Sequence, residues 1–129
     1  MAGRLLRGSP YADDIMNLPV ADVEGAIPYY VKTLGFTLGK REEEPISAVL
    51  SRDDVAMKIV ENGGDPTQEG AFFEVDDVEV VFENFKANGL DREDAGYRVD
   101  QRGEKSYRVF FVVAPDQLCY CFGQDVTDE

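Results

Sequence analysis

The 129-residue chain contains no histidine and no tryptophan, and it has only two cysteines. Without histidine it lacks the commonest general base near neutral pH and the commonest transition-metal ligand. Without tryptophan it lacks the largest stacking side chain. Basic residues are few: 13 Lys and Arg stand against 26 Asp and Glu, for a net charge of −13. Such a chain repels a phosphate backbone and an anionic bilayer, so neither nucleic acid nor a membrane is expected as a partner, whereas a cationic small molecule would be drawn in. Long hydrophobic runs are also missing. The opening MAGRLLRGSPYADD has two Arg around a Leu pair but no apolar stretch of signal-peptide length, and no window approaches a membrane span. A cytoplasmic location is expected. Cys119 and Cys121 share one face of a strand but lie poorly for a bridge, which fits a reducing compartment.

What the chain does have is ordinary globular material, 43% hydrophobic and 30% charged, in a length that forms one domain with a core of its own. It is also written twice. VADVE (Val20 to Glu24) returns as VDDVE (Val75 to Glu79), Tyr30 falls on Phe85, and KTLG answers KANG after a one-residue slip. In each copy a short alternating strand, IMNLPV or AFFEV, runs into an Asp suited to cap a helix, Asp22 or Asp77. The helix stripes are Val23, Ile27, Tyr30, Val31 and Leu34 in the first copy and Val78, Val81, Phe82 and Phe85 in the second, with Gly35 and Gly89 as stops. Pro28 predicts a bend in the first helix, because it removes a hydrogen bond at a cost of ~3 kcal/mol. Three strand-like runs follow each helix: FTLGKREE, ISAVLSR and VAMKIVE, then GYRVDQRG, SYRVFFVVA and LCYCFGQ. The order is βαβββ twice, with module 1 at about 13–61, a linker at 62–69 and module 2 at about 70–124.

PVADVEGAIPYYVKTLGF resembles the opening of the vicinal oxygen chelate superfamily, the glyoxalase, bleomycin-resistance and extradiol-dioxygenase group, and APDQLCYCFGQ resembles its closing turn and strand. The resemblance runs from about Asp13 to Gln124. It implies an α+β fold of two βαβββ modules side by side, forming a U-shaped mixed-sheet cleft with the helices outside. It also implies that an enzyme of the group would hold a divalent metal with four side chains of His, Gln or Glu type, two per module. Those positions correspond to Ile15, Lys58, Gly70 and Cys121. Ile and Gly offer no side-chain donor, Lys58 puts a cation where a dication would sit, and two thiols without further ligands make a weak site. No metal and no cofactor are therefore expected.

Strand alternation from those four positions gives an expected ligand cleft of Ile15, Asn17, Lys58, Gly70, Phe72, Glu74, Cys119 and Cys121, joined by Arg108 and Phe110 from a middle strand. This mixture of aromatic wall and polar handles is typical of small-molecule sites. The reading is a metal-free binding protein for a cationic or aromatic, antibiotic-like compound. The alternative is a lyase, isomerase or dioxygenase of the same fold with a displaced or absent metal, using Glu74 or Lys58 for acid/base work. The cysteines read as small buried hydrophobes, since no histidine is present to activate them. A homodimer is the expected assembly.

Overall fold

A computed structural model gives the structure, which describes residues 4–10, 17–65, 70–90, 94–115 and 117–127. The described strands are β1 (Leu5–Pro10), β2 (Leu18–Pro19), β3 (Thr37–Glu43), β4 (Ile46–Arg52), β5 (Val55–Val60), β6 (Gly70–Val75), β7 (Arg98–Arg102), β8 (Lys105–Val113) and β9 (Cys119–Asp125). Helix α1 (Val23–Pro28) follows β2, and α2 (Val78–Ala87) follows β6.

The strands form two mixed sheets, one ordered β2-β5-β4-β3 and the other β1-β6-β9-β8-β7. Apart from β1 the orders are the same: the strand before each helix lies parallel to the last strand of its repeat, and the rest are antiparallel. The echo noted in the sequence is thus an echo of topology.

Each strand-to-helix corner is held in the same way. Asp22 accepts from the Gly25 amide at 3.1 Å, and Asp77 accepts from the Val80 amide at 3.3 Å. A side chain reaching back from the end of the repeat takes the next orphan amide: Glu61 accepts from Val23 N and Gln124 accepts from Val78 N, both at 3.0 Å. Two of the unpaired donors at each helix start are satisfied, one from the local turn and one from the neighbouring strand.

Pro28 has a larger effect than a bend. Helix α1 gives way after it to a π-helical turn, Tyr29–Thr33, in which the Leu34 amide bonds back to the Tyr29 carbonyl at 3.2 Å. Missing its N–H, Pro28 cannot close the regular ladder, and the chain takes the wider turn instead. The wider turn rotates the buried face, so that Thr33 is buried while Val31, expected on the apolar stripe, is 40% exposed. Helix α2 has no such break, and Val78, Val81, Phe82 and Phe85 are all buried.

Both helices and both sheets contribute to one continuous apolar core. Phe73 stacks between Tyr120 and Phe122, Phe110 stacks on Phe122, and Phe85 meets Phe122 edge-on with centroids 5.0 Å apart. Tyr30, beyond α1, shares a 2.6 Å hydrogen bond with Tyr120 of β9, which ties the first repeat to the second sheet. Strand β1 was missed in the sequence. It pairs antiparallel with β6, placing Arg7 opposite Glu74.

Replacing Asp77 by Ala is expected to lower stability by about 1 kcal/mol, read as a reduced urea midpoint with unchanged slope. An unchanged midpoint would show that Gln124 alone suffices at that corner.

Candidate functional site

The five-stranded sheet has two occupied faces. Along β6, Ala71, Phe73 and Val75 enter the shared core, while Gly70, Phe72 and Glu74 point the other way. On that second face Phe72, Tyr107, Val109 and Cys121 form a smaller apolar cluster, with Phe111 packed at its edge. Register explains the grouping: Phe72 lies opposite Cys121, Glu74 opposite Gly123, and Val109 opposite Gly123 from the other side.

Gly123 is what lets the aromatic ring lie down on the sheet. A Cβ at this position would stand 2.8 Å from Phe72 Cε1 and 2.9 Å from Val109 Cγ1, closer than packed carbons approach. With no side chain there, Phe72 crosses the strand and meets Tyr107 edge-to-face, centroids 5.2 Å apart.

Above this floor lies a pocket of about 250 Å³, lined by Arg7, Gly8, Phe72, Glu74, Arg102 and Tyr107. Glu74 is only 8% exposed. Its Oε1 accepts from Arg7 Nη2 at 2.8 Å and Nε at 3.2 Å, and from the Tyr107 hydroxyl at 3.4 Å. Arg7 keeps its side chain 67% exposed, so solvent screens the pair and its main effect is to orient both groups. The hydrogen bond and charge of Glu74 hold the Arg7 guanidinium above its ordinary pKa. Burial first, and then the Glu74 charge, push the Tyr107 phenol above its ordinary value, so it stays neutral at physiological pH. Arg102 places its guanidinium carbon 4.3 Å from the centre of the Phe72 ring and directs Nη2 toward Cys121 Sγ at 3.9 Å. Burial pushes the Cys121 thiol up to about 11, against the opposing pull of Arg102.

The residues expected to line a cleft are distributed unevenly. Phe72 and Glu74 line the pocket, and Cys121 lies buried in its floor cluster. Gly70 is buried on the same strand and faces Cys119, which is half-buried. Lys58 is half-buried on β5, in the other sheet, between the core residues Met57 and Ile59, and the pocket takes no lining residue from that sheet. Asn17 is exposed, and its carbonyl accepts from Asn62 Nδ2 at 3.4 Å. Ile15 lies outside the described residues.

Arg108 and Phe110 are corrections. Phe110 is fully buried on the helix side, stacked on Phe122, and Arg108 lies over Tyr97 at 4.2 Å with Glu79 of α2 at 3.3 Å. The face toward the pocket belongs to Tyr107, Val109 and Phe111, one residue out of step with the expected set. VFFVV carries no period-two signal from which to read the register. Arg7, Arg102 and Tyr107 also line the pocket and are not in the expected set; the alternation of charged with uncharged residues in RVDQR was the available clue for Arg102.

A divalent metal of the kind the fold's enzymes use does not fit the donors present. Lys58 carries an ammonium, Gly70 has no side chain, and the Cys121 thiol is held protonated by burial. Among the described residues no group of three or more His, Cys, Asp or Glu is placed to hold an ion.

The paired βαβββ units, equal strand orders and capped corners define a class, a two-module α+β protein with open mixed sheets and no closed barrel among its described residues. The sequence model of the Glyoxalase/Bleomycin resistance protein/Dioxygenase superfamily matches residues 13–114, and the chain belongs to that superfamily. No curated protein sequence matches it. Several solved structures share its fold at low identity. A virulence protein from Salmonella typhimurium aligns with a TM-score of 0.68 at 16% identity, over 88% of this chain and 96% of that one. A bleomycin resistance determinant encoded on the transposon Tn5 gives 0.62 at 22%, over 85% and 94%. A bleomycin-binding protein from bleomycin-producing Streptomyces verticillus, complexed with copper(II)-bleomycin, gives 0.59 at 24%, over 87% and 94%.

Cys121 is expected to resist thiol reagents at pH 8 in the native protein and to react in denaturant, as located by mass spectrometry. Rapid native labelling at Cys121 would contradict its placement under Phe72 and Arg102.

Proposed function

We propose that this protein binds a small organic molecule against the open face of its five-stranded sheet, and that it does so without a divalent metal. One observation carries the reading: Phe72 and Tyr107 form an aromatic floor under a pocket edged by Arg7, Glu74 and Arg102. An apolar surface with a few oriented polar groups is the usual build of a small-molecule site. At about 250 Å³ the space suits a ligand of on the order of ten heavy atoms, judging from the volume one water occupies in the liquid. The superfamily includes proteins described as binding bleomycin or conferring resistance to it, so a binding role has precedent on this fold. The polar groups are also more suited to holding than to reacting: the oxygen of Glu74 that faces Arg7 takes three donors, and Tyr107 stays protonated.

We further propose that the protein acts as a homodimer. The homodimer rests on the prevalence of two-fold assemblies among oligomers; strand β3, exposed along its whole length, is already guarded by Lys40, Arg41, Glu42 and Glu43.

A thermal-shift screen with aromatic compounds of this size tests the binding role. A true ligand at a hundredfold excess over its Kd stabilises by about 2.7 kcal/mol, enough to raise Tm by several degrees. Phe72→Leu, which keeps apolar volume but removes the ring, is expected to abolish the shift. If no compound raises Tm, or if Phe72→Leu responds like the parent, the site lies elsewhere.

A further inference from the structure

The protein's net charge of −13 suggests a cationic ligand, yet the pocket itself is arranged the other way. On this face of the sheet the charged side chains among the described residues are Arg7, Arg98, Arg102 and Lys105 against Glu74, Asp100 and Asp125. Three of the four cations are matched: Arg7 with Glu74 at 2.8 Å, Arg98 with Asp100 at 3.0 Å, and Lys105 with Asp125 at 3.5 Å. Arg102 has no carboxylate within ion-pair distance among the described residues. It lies over Phe72 in the pocket lining, with the Cys121 sulfur as its hydrogen-bond acceptor, a weak one.

Glu74 is the one carboxylate among the six lining residues, and its Oε1 already receives two Arg7 donors and the Tyr107 hydroxyl. A cationic ligand would have to compete with Arg7 for it. An anionic ligand meets no such competition and finds the planar fork of Arg102, with Arg7 across the pocket. Such a fork matches a carboxylate or phosphate with two parallel hydrogen bonds. Distant acidic residues do not reverse this, because at physiological salt their field is screened over about 8 Å while the pocket groups act in contact.

We propose that the site selects a small aromatic acid, with its anionic group on the fork of Arg102 and its ring beside that guanidinium, against the parts of Phe72 and Tyr107 that Arg102 leaves open to the pocket. This rests on the binding role proposed above and assigns the charge of the ligand. Benzoate, benzamide and benzamidine carry the same ring with an anionic, a neutral and a cationic group, and serve as probes. Their dissociation constants are measured by NMR titration of the parent protein and of R102Q, following the amides of β6 and β8. Benzoate is expected to bind at least about tenfold more tightly than the other two, the low end for a charge-assisted hydrogen bond. R102Q is expected to remove that preference, so that benzoate and benzamide bind alike, and added salt is expected to weaken benzoate most in the parent. If benzamide or benzamidine perturbs β6 and β8 at least as strongly as benzoate does, the charge assignment is overturned and the binding role stands. An unchanged benzoate preference in R102Q overturns the role of Arg102. If none of the three perturbs these strands, both proposals fall together.

Discussion

Strand β6 is buried from both sides, and the rest of the molecule is arranged around that constraint. All six of its residues are buried, although strand geometry sends alternate side chains in opposite directions. One direction is filled by the aromatic stack of Phe73, Tyr120, Phe122 and Phe110 beneath helix α2. The other is filled by Phe72 over Gly123, with Tyr107 beside it and Arg102 above. A one-residue slip would exchange Phe73 for Glu74 in the core, leaving a carboxylate without partners in apolar surroundings. The fold and the pocket are therefore set by the same register.

That register depends on neighbours at some distance along the chain. Strand β9 lies parallel to β6 and carries Gly123, which makes room for Phe72, and Gln124, which caps α2 through the Val78 amide. On the other side β1 brings Arg7 to Glu74. The first repeat has the same corner, with Glu61 in the place of Gln124, but among the described residues no sequence-distant strand such as β1 lies beside β2 in its sheet. The two halves share a construction, and the five-stranded sheet carries the pocket.

The repeat was legible because it rests on local chemistry. An Asp before a helix, an apolar stripe and a Gly stop are signals within a dozen residues, and both caps form as their residue types require. Phe72 and Glu74 were legible by alternation from β6. The remainder of the site was not, for three separate reasons. Arg7 depends on a pairing between strands more than sixty residues apart. Tyr107 was obscured because β8 is covered on both faces and its apolar run has no period. Arg102 looked like one more surface charge, and only the structure shows the ring beneath it. The π-helical turn after Pro28 was legible as a disturbance, though not as the rotation that exchanges Val31 for Thr33.

On the proposed function, this member of the superfamily would hold its ligand with aromatic surface and arginine rather than through a metal. The most direct measurement is a calorimetric titration with an aromatic ligand before and after exhaustive dialysis against a chelator, with the metal content of the same samples determined. Less than stoichiometric metal and the same affinity in both titrations are expected. One tightly held divalent ion per chain, with binding lost on its removal and restored on its return, would contradict it.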